Sequence, residues 1–236
     1  MVNSAIILAG GLGTRLKSVV PDIPKPMAPI AGRPFLERQI DYWIEQGISH
    51  FILSVGYRHE DIQTHFGGSY RTASIEYVVE HSPLGTGGGF LLATQALNSS
   101  SPFLLLNGDT YFEVNLKDLD RLATNHQADW CFSLFRANES GRYMGLEINS
   151  TDGKLMSFES GNQQIGRLAN GGVYWINPQS LKTLDVQIGQ AYSLENDIFV
   201  QLQRNGQAIY GLECGGRFID IGVPSDYARA QTMMIS

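Results

Sequence analysis

Short apolar runs separated by amphipathic stretches fill the first half of the chain. Residues 5–9 are all apolar and end at Gly10-Gly11, which reads as a strand buried on both faces. Pro34 then opens a helix. Leu36, Ile40, Trp43, Ile44 and Gly47 follow at i, i+4, i+7, i+8 and i+11, the spacing of one helical face. Residues 51–55 predict the next strand, 59–66 a helix and 75–80 a third strand. A glycine-rich turn and a helix through Leu91 to Leu97 lead to a fourth strand at 102–106. Strands alternating with helices in this way predict a mostly parallel sheet covered on both faces.

A further strand is expected at 129–136, and after it the rhythm changes. Residues 144–148, 155–159, 172–176 and 208–213 are short and predict a mixed or antiparallel extension, with a last helix starting near Pro224. The expected architecture is a three-layer α/β fold with a mostly parallel sheet and a smaller mixed extension. No internal repeat, low-complexity tract or separating linker interrupts residues 1–236, so a single domain is expected.

Composition narrows the partners. The net charge of -6 argues against a nucleic-acid surface, which demands clustered Lys and Arg. Two cysteines, Cys131 and Cys214, form no CxxC pair and no disulfide framework. Cys131 lies in an apolar stretch and is expected to be a core thiol. The run at 5–9 is too short for a signal peptide, and no window approaches a membrane span. A reducing cytoplasm is therefore the expected compartment.

The first candidate chemistry follows the first strand directly, in Leu8-Ala9-Gly10-Gly11-Leu12-Gly13-Thr14-Arg15-Leu16. Gly10, Gly11 and Gly13 let the backbone turn sharply and approach a ligand without Cβ obstruction. Consecutive amides there can form an anion-binding nest, and Arg15 adds a forked cation suited to phosphate oxygens. A second cation, Lys25, is expected in a stiff extended segment between Pro24 and Pro26. The glycines do not make a Walker A loop, because no Gly-Lys pair follows at the required spacing. They also miss GxGxxG, since Leu16 occupies the place of the third glycine.

These two segments resemble the signature of the sugar nucleotidyltransferase family. The resemblance continues through Glu80-His81-Ser82-Pro83-Leu84-Gly85-Thr86-Gly87, Asn107-Gly108-Asp109, Asn170-Gly171-Gly172-Val173-Tyr174 and Phe218-Ile219-Asp220-Ile221-Gly222-Val223-Pro224, in the family's order and over essentially the whole chain. It implies a Rossmann-like, GT-A-like fold. A nucleotide-binding half would lie at about 1–125 and a sugar-phosphate-binding half at about 126–236. The implied reaction is in-line attack by a sugar 1-phosphate on the α-phosphorus of a nucleoside triphosphate. With two anionic reactants, catalysis is mostly positioning and charge neutralisation.

By the same resemblance, Arg15 and the glycine amides hold the departing pyrophosphate, Lys25 bridges the phosphates, and Asp109 and Asp220 hold Mg²⁺. Arg15, Lys25 and Asp109 are the catalytic candidates. Leu8, Ala9, Thr14, Asn107 and Gly108 complete the phosphate and nucleoside contacts, while Glu80, Leu84 and Gly85 face the base. Asp109 follows a hydrophobic strand, which places it at the sheet's carboxyl edge, where open α/β sheets bind ligands. Two carboxylates with phosphate oxygens and water suit Mg²⁺.

Glu80 carries the choice of base. A carboxylate only accepts hydrogen bonds. Guanine offers two neighbouring donors that one carboxylate can accept together, whereas uracil and thymine offer one donor flanked by carbonyls. Glu80 therefore predicts GTP. On the acceptor side, Asn170, Gly171, Gly172, Gly145 and Glu159 match the family's sugar contacts. Many relatives place a lysine after that glutamate, but Ser160 follows here, so Arg142 or Arg167 is expected to meet the sugar phosphate. Glu195, after Ser193, reads first as helix-start chemistry.

Within the family, the motifs look most like the guanylyltransferases acting on D-glycero-α-D-manno-heptose 1-phosphate. Mannose-1-phosphate guanylyltransferases are the nearest rival. The same fold using UTP, dTTP or CTP, and a non-catalytic nucleotide-sugar sensor, are the alternatives kept open. The expected partners are GTP and a sugar 1-phosphate, with neither nucleic acid nor membrane, and a homodimer is the one assembly left open.

Overall fold

The computed structural model describes residues 2–139, 141–159 and 165–234, without the side chain of Glu159. In chain order the first half holds β1 (Ser4–Ala9), β2 (Pro29–Ile30), β3 (Arg33–Pro34), α1 (Phe35–Glu45), β4 (His50–Val55), α2 (His59–Phe66), β5 (Ser69–Tyr70), β6 (Ala73–Val79), α3 (Gly85–Ala93), β7 (Phe103–Asn107), β8 (Thr110–Phe112) and α4 (Leu116–His126). The second half holds β9 (Trp130–Arg136), β10 (Gly145–Ile148), β11 (Leu155–Glu159), β12 (Leu168–Ile176), a π-helical turn (Leu194–Ile198), α5 (Phe199–Arg204), β13 (Ile209–Glu213), β14 (Phe218–Asp220) and α6 (Pro224–Met233).

Among the described residues ten strands form the main sheet, in the order β11-β10-β12-β7-β1-β4-β6-β5, with β9 beside β12 and β13 beside β9. The β7-β1-β4-β6 centre is parallel. The extension is mixed, because β12 runs antiparallel to β7, β9 and β10 while β13 is parallel to β9. The α/β fold with its mixed extension is thus the one expected.

Strand β1 explains why its sequence is continuously apolar. Ala5, Ile7 and Ala9 point into one core with α1, α2 and α4, and Ile6 points into the other with α3 and α5. The period-two alternation of a strand serves two cores at once here. A third, smaller core joins Leu16, Val20 and Phe35 to Ile219, Ile221 and Ala230. It seats α6 and the β8-β14 ribbon against the loop after β1. Cys131 is fully buried in the first core, as expected.

Some elements depart from the sequence reading. Helix α3 begins at Gly85 and runs through the glycines, because Gly87 and Gly88 lie against residues 190–193 too closely for side chains. Gly87 donates to the Tyr192 carbonyl at 2.8 Å. Lys25 opens a single 3₁₀ turn over Lys25–Met27 instead of an extended segment. Pro26 is tolerated there because the first turn needs no N–H from it. Helix α4 was not anticipated. Its N-cap Asn115 accepts from Lys117 N at 3.0 Å and Asp118 N at 3.3 Å, and Leu116, Leu119 and Ala123 are its buried face. No helix among the described residues is long and apolar enough to cross a membrane.

Candidate active site

The chain leaves β1 between its two parallel neighbours, β4 on one side and β7 on the other. At such a switch point the connections diverge to opposite sides and leave a crevice at the carboxyl ends of the strands. A cleft of about 740 Å³ opens there. Leu8 to Arg15, Lys25, Glu80, Gly85 and Asn107 to Asp109 all line it. Leu84 is buried beneath it and contributes its amide to Glu80.

Glu80 stands in a narrow slot. The Ser54 hydroxyl donates to its Oε1 at 2.9 Å and Leu84 N to its Oε2 at 3.3 Å. Gly10 and Gly89 form the walls: a Cβ on either would lie 2.5 or 2.6 Å from Oε1. Ser54 is fully buried on β4, so the carboxylate is oriented by a fixed donor while lining the cleft. A carboxylate held in this way retains lone pairs for two more donors.

Asp109 lies in the turn between β7 and β8. The buried amide of Gln39 on α1 holds that turn, donating to the carbonyls of Asn107 and Thr110, both at 2.8 Å. Lys25 Nζ reaches Asp109 Oδ2 at 2.5 Å. The approach requires Gly13, whose φ is +58° and whose Cβ would lie 2.8 Å from that of Lys25. The β8-β14 ladder then brings in Asp220, opposite Thr110, with Ile221 N donating to the Asp109 carbonyl at 2.9 Å. Arg15 is exposed at the rim of the cleft.

The two aspartates feel each other. Burial raises the Asp220 pKa and the charge of Asp109 adds to the rise, against Lys25, the Gly222 amide and Arg142. Gly222 N donates to Asp220 Oδ1 at 2.6 Å, and Arg142 Nη2 donates to Oδ2 at 3.2 Å.

A family model described as nucleotidyl transferase matches residues 4–236. The chain belongs to the nucleotidyl transferase family. It is 40% identical over 228 residues to the D-glycero-alpha-D-manno-heptose 1-phosphate guanylyltransferase of Aneurinibacillus thermoaerophilus, covering 96% of each chain. The protein of the same name from Campylobacter jejuni is 38% identical over 225 residues, covering 94% of this chain and 96% of that one. Among solved structures, HddC from Yersinia pseudotuberculosis superimposes with a TM-score of 0.83 at 32% identity, covering 99% of this chain and 100% of that one. It has also been solved complexed with GMP-PN.

The nucleotidyl transferase therefore sets Asp109, and Asp220 behind it, beside Lys25 and the glycine-rich loop. Two neighbouring carboxylates, one with its pKa raised by burial and then by the charge of the other, make a donor set that a divalent cation relieves. The Lys25 ammonium already stands as a monovalent counter-charge at Asp109. Among the described residues no group of three or more His, Cys, Asp or Glu side chains gathers. The residues thus fit an ion that takes its remaining ligands from phosphate and water.

The residues expected to contact the sugar lie on β10 and β12 and at the end of β11. Gly145 starts β10 opposite Glu159 and Ala169. The Glu159 side chain and Ser160 lie outside the described residues. Asn170 is buried, donating to the Tyr174 hydroxyl at 2.8 Å and accepting from Gly172 N at 3.1 Å. Gly171 packs on Phe112 and Ser133, and Gly172, at φ +72°, packs on the Asn107 carboxamide. These three residues shape the irregularity in the β9-β12 ladder and line none of the cleft in this state.

Sequence reading missed Tyr174 as part of the cleft wall and took Glu195 first as helix-start chemistry. Glu195 lines the cleft on the π-turn after Ser193. Its pKa is raised by burial first and by Asp109 second. The Ser193 hydroxyl does accept from Asn196 N at 3.1 Å, so the helix-start reading holds while the same turn sets Glu195 on the cleft wall. Of the two cations offered for the sugar phosphate, Arg142 sits beside Asp220 and away from the cleft wall.

Proposed function

We propose that this nucleotidyl transferase moves GMP from GTP to D-glycero-α-D-manno-heptose 1-phosphate and releases pyrophosphate. The observation that carries the choice of GTP is Glu80, held by Ser54 and Leu84 between Gly10 and Gly89 so that it faces the cleft as an acceptor. Guanine supplies the matching pair of donors. The names of the relatives that are 40% and 38% identical support the heptose phosphate as acceptor.

In this reading the amides from Gly10 to Thr14 and the Arg15 guanidinium hold the β- and γ-phosphates. A sugar-phosphate oxygen forms a bond to the α-phosphorus as the bond from that phosphorus to pyrophosphate breaks. The attacking oxygen is already ionised, so no side chain need remove a proton. Lys25 lies between the loop and Asp109, where it neutralises charge on the phosphates as the bond order shifts. Mg²⁺, held by Asp109 and Asp220 with phosphate oxygens, would add charge neutralisation at the same phosphorus. Glu195 and Tyr174 lie on the flank left for the acceptor sugar.

The test is pyrophosphate release with Mg²⁺ across GTP, UTP, dTTP and CTP, each paired with the manno-heptose, mannose and glucose 1-phosphates. Turnover highest with GTP and the heptose phosphate is expected. Preference for another triphosphate would overturn the role given to Glu80, and preference for mannose 1-phosphate would overturn the acceptor.

A further inference from the structure

Two carboxylates that repel each other do not hold a metal-binding geometry unaided. Asp109 is fixed by the turn that Gln39 secures and by Lys25. Asp220 accepts from Gly222 N on Oδ1 at 2.6 Å, and a side chain from elsewhere in the fold fixes its other oxygen. Arg142 Nη2 donates both to Asp220 Oδ2, at 3.2 Å, and to the Asp220 backbone carbonyl, at 3.3 Å. A guanidinium nitrogen shared between the backbone and side chain of one residue constrains that side chain's rotamer.

The guanidinium is itself anchored from behind. Its Nη1 pairs with Asp226, and Glu139 lies 3.4 Å from the same nitrogen. Asp226 is 2% exposed, in the first turn of α6, and Arg229 Nη2 approaches its other oxygen at 3.1 Å. The Tyr143 ring centroid lies 4.9 Å from the guanidinium carbon. Arg142 is therefore held on several sides and lines none of the cleft; its contact to Asp220 points toward Gly222, which does line it.

We infer that Arg142, anchored by Asp226, is the positioning residue that sets Asp220 for the divalent cation. This rests on the reading of Asp109 and Asp220 as metal ligands. Outer partners of ligating carboxylates govern metal affinity by about 10- to 100-fold, and that range sets the expected effect.

The experiment compares the wild type with R142K, R142A and D226N. Free Mn²⁺ is followed by electron paramagnetic resonance during titration of each protein with saturating GMP-PNP, and metal-free GMP-PNP binding is followed by calorimetry. R142A is expected to weaken Mn²⁺ binding by about tenfold or more. R142K should weaken it less, D226N should weaken it in the same direction, and metal-free nucleotide affinity should hold. If R142A fails to fold, R142K and D226N decide. Unchanged Mn²⁺ affinity in the variants overturns the inference. So does a rise confined to the KM of the sugar phosphate, which would put Arg142 on the acceptor. Equal loss of metal-free nucleotide binding would also overturn it, by showing general damage to the cleft. Failure of the wild type to bind GMP-PNP would instead sink the guanylyl reading, and the Mn²⁺ comparison then runs with the analogue of the triphosphate the wild type turns over.

Discussion

Gly89 lies so close to Glu80 that a Cβ at position 89 would stand 2.6 Å from Glu80 Oε1 and 3.1 Å from Ser54 Oγ. If Glu80 reads the base as proposed, Gly89 belongs to the same device through this contact. Two substitutions separate device from fold. Glu80→Gln keeps the shape but turns one acceptor into a donor, which leaves one guanine donor facing another. An unpaired buried polar group costs about 1–3 kcal/mol, so kcat/KM for GTP is expected to fall roughly tenfold or more while that for UTP holds or rises. Gly89→Ala should lower GTP use in the same direction by displacing the carboxylate. Helix propensity alone would favour alanine by about 1 kcal/mol, so thermal melting separates the displaced side chain from a weakened helix. Unchanged nucleotide preference in both variants would remove Glu80 from base recognition.

Asp109→Asn tests the centre of the site. The substitution removes a charge beside Lys25 and Asp220 and keeps the volume. Turnover is expected to fall about 100-fold or more, the scale of a lost electrostatic contact at a transition state. The circular dichroism spectrum and melting temperature should hold close to those of the wild type, since Gln39 holds the turn through backbone carbonyls alone. Near-normal pyrophosphate release by this variant would exclude Asp109 from the reaction.

The β8-β14 ribbon, which carries Asp220 and follows directly on Asp109, has its own electrostatic tie. Arg217, just before β14, donates from its backbone N to Glu113 Oε2 at 3.0 Å and from Nε to Oε1 at 2.8 Å. Burial pushes the Glu113 pKa up, but the Arg217 hydrogen bonds outweigh it and leave the group below its ordinary 4.5. A depressed carboxylate contributes stability above its unfolded pKa and loses it as pH falls through the folded value. Glu113→Gln should therefore destabilise the protein at pH 7 by about 1 kcal/mol or less, given partial exposure. The difference from the wild type should shrink as the pH is lowered below 4.5. Chemical denaturation at pH 7 and pH 3.5 measures both, and a gap that widens toward acid would reverse the assignment.

The parallel half of the fold was legible because strands buried on both faces spell themselves as apolar runs. The loop from Gly10 to Arg15 and the turn at Asp109 were legible because each follows such a run directly. What escaped notice is tertiary. Strands β8 and β14 have three residues each, too few to show a period, yet their pairing is what joins Asp109 to Asp220. The contact from Arg142 to Asp220 spans 78 positions, and no local spacing announces it. Asn170-Gly171-Gly172 was read as a ligand turn, and the structure gives these residues a second part, bonding each other and packing on Phe112 and Asn107. Short polar and glycine residues suit both roles, and sequence cannot separate them.

Glu195 offers the sharpest test of the acceptor flank. Among the described residues its carboxylate makes no hydrogen bond or ion pair, yet burial and Asp109 both raise its pKa. A negative group there repels phosphates, so it favours neutral donors, and the acceptor sugar brings several hydroxyls. Glu195→Gln retains one acceptor oxygen and loses the charge that strengthens its hydrogen bonds. A hydrogen bond to a charged group is worth about 1.5–3 kcal/mol, so the KM for the heptose phosphate should rise roughly tenfold with GTP affinity in the absence of acceptor unchanged. The raised pKa adds a pH signature. Where Glu195 is protonated it accepts less well, so the wild-type KM for the sugar phosphate should climb toward acid more steeply than that of the glutamine variant. Steady-state kinetics at several pH values and calorimetry with GMP-PNP measure the two halves. Loss of nucleotide affinity with an unchanged sugar KM would move Glu195 to the ribose.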